Sequence, residues 1–253
     1  EWLGTVQLWY ALAKSMNIPS IKIFDGVGFD AAIERSASLL GIPKNELNAR
    51  RFDRVYPLAL GICSIKPIEL ARAFAIFANQ GKAVTSFAIR SVEDRNGKIF
   101  ENPEAKIRAE QKKLGSNIQI ISPQTAYIMT DILINSVRMG TLAYGVQWGA
   151  KLQYTNSNGE RYQMPAAGKT GTTQNWTNAW AVGYTPYYTA ALWFGFDKPG
   201  QSLGLELTGS TLAGPAWGDF MRIANEDMPY KEFTIPQTGL VKATVCSVSG
   251  KML

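Results

Sequence analysis

Apolar residues recur at helical spacing through the first half of the chain and at alternating spacing through its last third. Val6, Leu8, Trp9 and Leu12 predict a helix over residues 5–14. Residues 15–19 end it, because the residue before Pro19 avoids the helical region. Asp30 is placed to cap a helix over 31–40, which Gly41 closes. Pro67 sits where a first helical turn tolerates it, ahead of a helix over 68–80. Leu70, Phe74, Phe77 and Ala78 share one face of that helix, and Gly81 is its stop. Asn96-Gly97 is a hairpin signal between two short strands in 91–100. Residues 101–117 are polar and irregular, and read as a mobile surface excursion. Ser122-Pro123 opens a helix running to about Arg138, and 145–161 reads as loop and hairpin.

Strands dominate the chain from Lys169 onward. "KTGTT" (169–173), "AWAVGYT" (179–185) and "YTAALWFGF" (188–196) are strand-like, with a turn at Pro186 between the last two. An apolar helix, "AGPAWGDFMRIA" (213–224), carries Pro215 near its start, and residues 239–253 alternate like a final strand. Helices first and an antiparallel run later predict a mixed α/β fold, an antiparallel sheet packed with helices. The 27 residues 170–196 hold no charge and are long enough to cross a bilayer. Gly171, Gly183, Pro186 and Gly195 punctuate them, so two buried strands joined by a turn fit better.

Composition narrows the chemistry. The 253 residues carry a net charge of +6, scattered without a basic arm, so no nucleic-acid partner is expected. Cys63 and Cys246 form neither a disulfide framework nor a metal motif. Histidine is absent, which removes Ser-His-Asp and Cys-His catalysis and nearly all zinc chemistry. An acyl-transfer enzyme built from this chain must take its base from lysine or a carboxylate.

Lys169 then stands out, alone before the uncharged stretch. "GKT" is the tail of a phosphate-binding loop, but that pattern needs glycine at position 163, where Gln163 stands. Two readings remain: a solvated lysine beginning a core strand, or an anion-binding strand edge in an acyl-transfer site. In the second, Lys169 supplies positive potential and the Thr170 and Thr172 hydroxyls bind a carboxylate. Gly171 leaves room for a ligand against the backbone. A serine nucleophile would then need lysine as activator, a second hydroxyl as relay, and an amide to hold substrate. Ser15-Met16-Asn17 has that chemistry, 152 residues before Lys169.

Ser-x-Asn followed by Lys-Thr-Gly is the pairing of β-lactamases and penicillin-binding proteins. The chain resembles the transpeptidase domain of a class A (bifunctional) penicillin-binding protein. The resemblance runs through "YPLALGICSIKPIELARAFAIFANQG", "GKTGTTQNWTNAWAVGYTP", "ALWFGFD" and "AGPAWGDFM". It covers most of 1–224 and is weakest over 101–117 and 155–162. Asn178 stands where an aspartate is more usual, and Gly140-Thr141-Leu142 lacks a second glycine often seen there. No Ser-x-x-Lys occurs; Cys63-Ser64-Ile65-Lys66 is the nearest imitation. In the family that segment precedes Ser-x-Asn, so the chain is expected to start inside the domain, with a transpeptidase unit over 1–235 and a strand extension over 236–253.

The resemblance implies a penicillin-binding protein/β-lactamase-like serine transpeptidase fold that cross-links peptidoglycan stem peptides ending in D-Ala-D-Ala. It implies β-lactams as suicide substrates and no metal or organic cofactor. It assigns catalytic roles to Ser15, Asn17 and Lys169, and substrate binding to Thr170, Gly171, Thr172 and Thr173. The nucleophile, a glycosyltransferase domain and an anchor in the plasma membrane would lie upstream in the same polypeptide, with this domain on the extracytoplasmic side. The 253 residues alone are expected to be inactive. A β-lactamase or carboxypeptidase shares the motifs, but the segment 56–81 disfavours both; a non-catalytic sensor or scaffold is the alternative of another class.

Overall fold

The computed structural model describes residues 3–147, 151–198, 200–246 and 250–252. Helix α1 (Leu8–Ala13) is shorter than its apolar pattern and ends at Lys14. The segment expected to be a terminator instead begins a new helix, α2 (Asn17–Val27). Pro19 is its third residue, within the turn whose N–H groups have no intrahelical acceptor, so the ring removes no bond. Helix α3 (Phe29–Leu40) is capped by Gly28 rather than Asp30. Asp30 sits in the first turn, where its carboxylate faces the positive end of the helix and pairs with Arg54. Gly41 closes α3 in the left-handed conformation, at φ 74°.

Helix α4 (Pro67–Ala78) forms where expected, with Glu69 capping the Lys66 N–H at 2.7 Å, but its apolar residues do not share one face: Ala78 is exposed and Leu70 lies in a different cluster from Phe74 and Phe77. It separates two apolar clusters: Leu70 and Ala73 face Leu40, Ile42 and Phe52, while Phe74 and Phe77 face Leu133 and Tyr184. The hairpin of β1 (Val92–Glu93) and β2 (Ile99–Glu101) turns at Gly97, whose N–H reaches Asp94 O at 3.0 Å. The stretch expected to be irregular contains α5 (Pro103–Leu114). Its polarity is that of a solvated helix: Asn102 caps it, Glu104 pairs with Arg108 one turn on, and Arg90 reaches back to Glu104. Helix α6 (Pro123–Arg138) starts from a Ser122 cap, and a short α7 (Ala143–Val146) follows.

The hairpin of β3 (Gln153–Thr155) and β4 (Arg161–Gln163) leads into the three-stranded antiparallel sheet of β5 (Ala167–Thr172), β6 (Asn178–Tyr184) and β7 (Thr189–Gly195). Helix α6 lies along β5, and α4 along β6 and β7. On this face the Tyr184 hydroxyl, buried, meets Thr130 of α6 at 2.7 Å. The other face buries Ala179 and Ala181 against Trp217 and Met221 of α8 (Gly214–Ala224). The fold is thus mixed, with helices on both faces of an antiparallel sheet. Among the described residues no helix is long and apolar enough to cross a membrane, and 170–196 forms strands. Beyond 236 the alternation finds little to pair with: the described residues form one bridge, Val245 with Met252, and Val241 is 92% exposed.

Candidate active site

Ser15 owes its position to the way α1 stops. The Met16 N–H reaches back to Ala11 O at 2.9 Å and the Ser15 N–H to Leu12 O at 3.0 Å. That pair of bonds is a Schellman ending, and it requires the residue after the cap to be left-handed. Ser15 adopts φ 55°, a conformation usually left to glycine. The turn throws its side chain outward, away from the helix.

The end of α6 then comes up against the end of α1. A Cβ on Gly140 would lie 2.3 Å from Ala13 O, so only glycine permits the approach. The next residue, Thr141, donates its N–H to the same carbonyl at 3.0 Å, and Lys14 Nζ donates to Met139 O at 2.6 Å. These contacts fix Ser15 relative to β5.

Strand β5 carries Lys169 on the α4/α6 face and Thr170 on the other, at the sheet edge. Lys169 Nζ donates to Ser15 Oγ at 2.9 Å, to Thr170 O at 2.9 Å and to Thr141 Oγ1 at 3.4 Å. Two motifs 154 residues apart therefore meet in one hydrogen bond. Burial pushes the Lys169 ammonium down from 10.5 to about 8, since a desolvated cation gives up its proton more easily.

The remaining candidates sit along the same edge. The Thr170 hydroxyl donates to Thr141 Oγ1 at 2.6 Å. Thr172 Oγ1 accepts the Gly209 N–H at 2.8 Å and keeps its own proton for another acceptor. The Thr173 N–H bonds Asn178 O at 3.1 Å, so by strand alternation the Thr172 N–H points outward at the free edge. An ideal Cβ on Gly171 would lie 3.4 Å from Trp180 Cβ, an ordinary van der Waals contact. Thr173 Oγ1 accepts the Asn178 N–H at 2.8 Å and meets Thr177 Oγ1 at 2.6 Å. Asn178 Oδ1 accepts the Trp193 indole N–H at 2.8 Å, which turns its amide nitrogen to Thr173 and Thr177. Asn17 is exposed in the first turn of α2 and belongs to none of these bonds among the described residues.

Thr141, Gly209 and Ser210 were not singled out as site residues by the sequence. Gly209 opens a wide helical turn, Gly209–Ala213, that presses on the backbone of β5, and Ser210 Oγ donates to Thr141 O at 2.6 Å. Small residues around Gly140 and Gly209 were the available signal.

One consequence concerns stability. Ser15→Gly relaxes the left-handed position while Ser15→Ala leaves it strained, so the glycine variant should be the more stable by ~1 kcal/mol. Both lose the bond to Lys169. Denaturant unfolding checks this; equal midpoints would contradict it.

Residues 4–221 match the family model described as the penicillin binding protein transpeptidase domain. The chain is 35% identical over 240 residues to penicillin-binding protein 1A of Neisseria gonorrhoeae, covering 94% of this chain and 27% of that protein. It is 30% identical over 290 residues to penicillin-binding protein 1A of Pseudomonas aeruginosa, covering 99% and 33%. The crystal structure of penicillin-binding protein 1A from Haemophilus influenzae superposes with a TM-score of 0.76 at 23% identity, covering 98% of this chain and 38% of that one. Penicillin-binding protein PonA1 from Mycobacterium tuberculosis gives 0.68 at 21%, covering 100% and 62%. The chain spans about a quarter to a third of the length of these curated relatives.

Proposed function

The chain belongs to the penicillin-binding protein transpeptidase domain family, and from that premise we propose that it is part of a serine-type D,D-transpeptidase that cross-links peptidoglycan. The observation that carries the reading is the 2.9 Å bond from Lys169 Nζ to Ser15 Oγ. The transpeptidase unit is 1–235. Its nucleophile is a Ser-x-x-Lys serine, a motif these 253 residues do not contain, carried elsewhere on the same polypeptide. The polypeptide works on the extracytoplasmic face of the plasma membrane, on stem peptides, and takes β-lactams in the same site.

The serine oxygen attacks the penultimate D-Ala carbonyl and gives its proton to the lysine of its own motif. Ser15 accepts a hydrogen bond from Lys169, so its own O–H remains free to pass a proton from that lysine to the departing D-alanine nitrogen. The C–N bond breaks and an acyl ester remains. An acceptor amine then attacks the ester carbonyl, the C–O bond to the serine breaks as the proton lost by the amine passes to the serine oxygen, and the new peptide bond is the cross-link. The outward Thr172 N–H stabilises the oxyanion, a role in which one donor is worth ~2.7–4 kcal/mol. The positive potential of Lys169 favours the terminal carboxylate and the free Thr172 hydroxyl bonds it, Thr170 and Thr173 shape the pocket beside it, and Gly171 admits the substrate backbone. Asn17 comes onto the substrate amide from the start of α2.

Labelling the full-length polypeptide with a fluorescent penicillin and mapping the modified peptide tests this. The expected adduct is on a Ser-x-x-Lys serine, with none on the 253 residues alone. A full-length polypeptide that takes no label would be a sensor or scaffold instead.

The Lys169 burial sets two pH effects. Acylation should decline as pH rises through about 8, where the ammonium is lost. Stability should move the other way. Below 8 both folded and unfolded states hold the proton, and the folded state bears the burial penalty. Between about 8 and 10.5 the unfolded chain keeps a proton that the folded one has released, so stability rises with pH. Acylation rates and thermal melts across pH 7–10.5 check both slopes.

A further inference from the structure

We propose that Thr141 is a positioning residue of this site, resting on the transpeptidase reading above: its hydroxyl oxygen holds the Lys169 ammonium against Ser15 and turns the Thr170 hydroxyl away from bound substrate. An ammonium has three N–H donors. Those of Lys169 go to Ser15 Oγ, Thr170 O and Thr141 Oγ1. Thr141 is the third acceptor, and without it two bonds hold the ammonium, so rotation about Cδ–Cε can carry the nitrogen off the serine.

The hydroxyl of Thr141 has two lone pairs, and both are engaged, one by Lys169 at 3.4 Å and one by Thr170 at 2.6 Å. Thr170 thereby spends its proton on a neighbour, and Thr172 is left as the β5 hydroxyl with a proton to offer an anion. Thr141 can do this because its backbone is held from two sides. Its N–H is tied to Ala13 O at 3.0 Å, at the helix end that presents Ser15, and its C=O takes the Ser210 hydroxyl at 2.6 Å, from the turn that holds Thr172. A β-branched side chain has little rotational freedom about its first bond, so the oxygen stays where the backbone puts it. One residue thus ties together the relay serine, the lysine and the anion-binding threonines.

Thr141→Val keeps the shape and removes the lone pairs; Thr141→Ser returns the oxygen. Both are made in the full-length polypeptide. The pH dependence of Lys169 reductive methylation, followed by peptide mass spectrometry, reports the lysine directly. Losing an acceptor disfavours the ammonium, so the Lys169 titration should fall by about one unit in Thr141→Val and return in Thr141→Ser. The alkaline limb of penicillin acylation should move with it. An unchanged titration in Thr141→Val, or no recovery in Thr141→Ser, overturns the proposal. A shifted titration in a polypeptide that takes no penicillin would sustain Thr141's role and sink the transpeptidase reading instead. If Thr141→Val fails to fold, Ser210→Ala, which loosens the Thr141 backbone, should move the titration in the same direction by a smaller amount, and no movement overturns the proposal.

Discussion

Replacing Lys169 by methionine should slow penicillin acylation of the full-length polypeptide by ~10²–10⁴-fold, the range spanned by loss of a proton-transfer partner and of a pre-placed electrostatic donor. Methionine matches the length of the lysine stem, so the strand and its neighbours keep their packing. What disappears is the donor to Ser15 and the positive potential at the carboxylate site. Stability at pH 7 should not fall, because the substitution removes a desolvated cation whose folded state titrates at about 8. The rise of stability between about 8 and 10.5 should vanish in the same variant. Acylation kinetics and pH-resolved melts read both. A variant that acylates at the parental rate would make Lys169 a structural lysine. A slope that survives would assign it to another group.

The second large effect is at Gly209. An ideal Cβ there would lie 2.4 Å from Gly171 O, 2.7 Å from Trp180 O and 2.9 Å from Gly171 N. All three are backbone atoms of paired strands and none can rotate aside. Gly209→Ala should therefore force the Gly209–Ala213 turn off the sheet and destabilise the protein by ~3 kcal/mol, the upper range for overpacking. The Gly209 N–H would leave Thr172 Oγ1, and a shift of about 1 Å in that threonine should lower acylation by ~10²-fold. Gly26→Ala is the control: it lies inside α2 with nothing within 4 Å of the added carbon, and should stabilise by ~0.5–1 kcal/mol. Thermal melts of the two variants with acylation rates decide it. A Gly209→Ala protein as stable as its parent would mean the turn and β5 are not in rigid contact.

These two sites differ in how well the chain announces them. Lys169 is conspicuous because it is a lone charge ahead of strands without any, and Ser15 because a Ser-x-Asn paired with Lys-Thr-Gly is rare by chance. The strands β5 to β7, helices α4 and α6 and the Gly97 hairpin were equally legible, since period, caps and turn residues all agreed there. Helix α2 was missed because Pro19 signals both a terminator and a tolerated first-turn residue, and local sequence does not choose between them. Helix α5 was missed because its stability comes from a cap and ion pairs on a solvated surface rather than from an apolar stripe. Thr141 and Gly209 owe their roles to hydrogen bonds made across 28 and 37 residues of sequence. No spacing rule within the chain encodes those distances.

The Schellman turn at Ser15 has a consequence for engineering. Left-handed serine at one end of the key bond and a desolvated lysine at the other are each poor choices for stability at their positions. Replacing Ser15 alone takes an acceptor from the desolvated ammonium, whereas replacing both removes two strains; Thr141 Oγ1 keeps the Thr170 hydroxyl, and Thr170 O is the acceptor that loses its donor. A library selected for heat resistance with no demand for activity should therefore drift toward glycine at 15 together with an apolar residue at 169. Such a selection would delete the site from both ends while the fold grew hardier, so any thermostabilisation of this domain has to hold those two codons fixed.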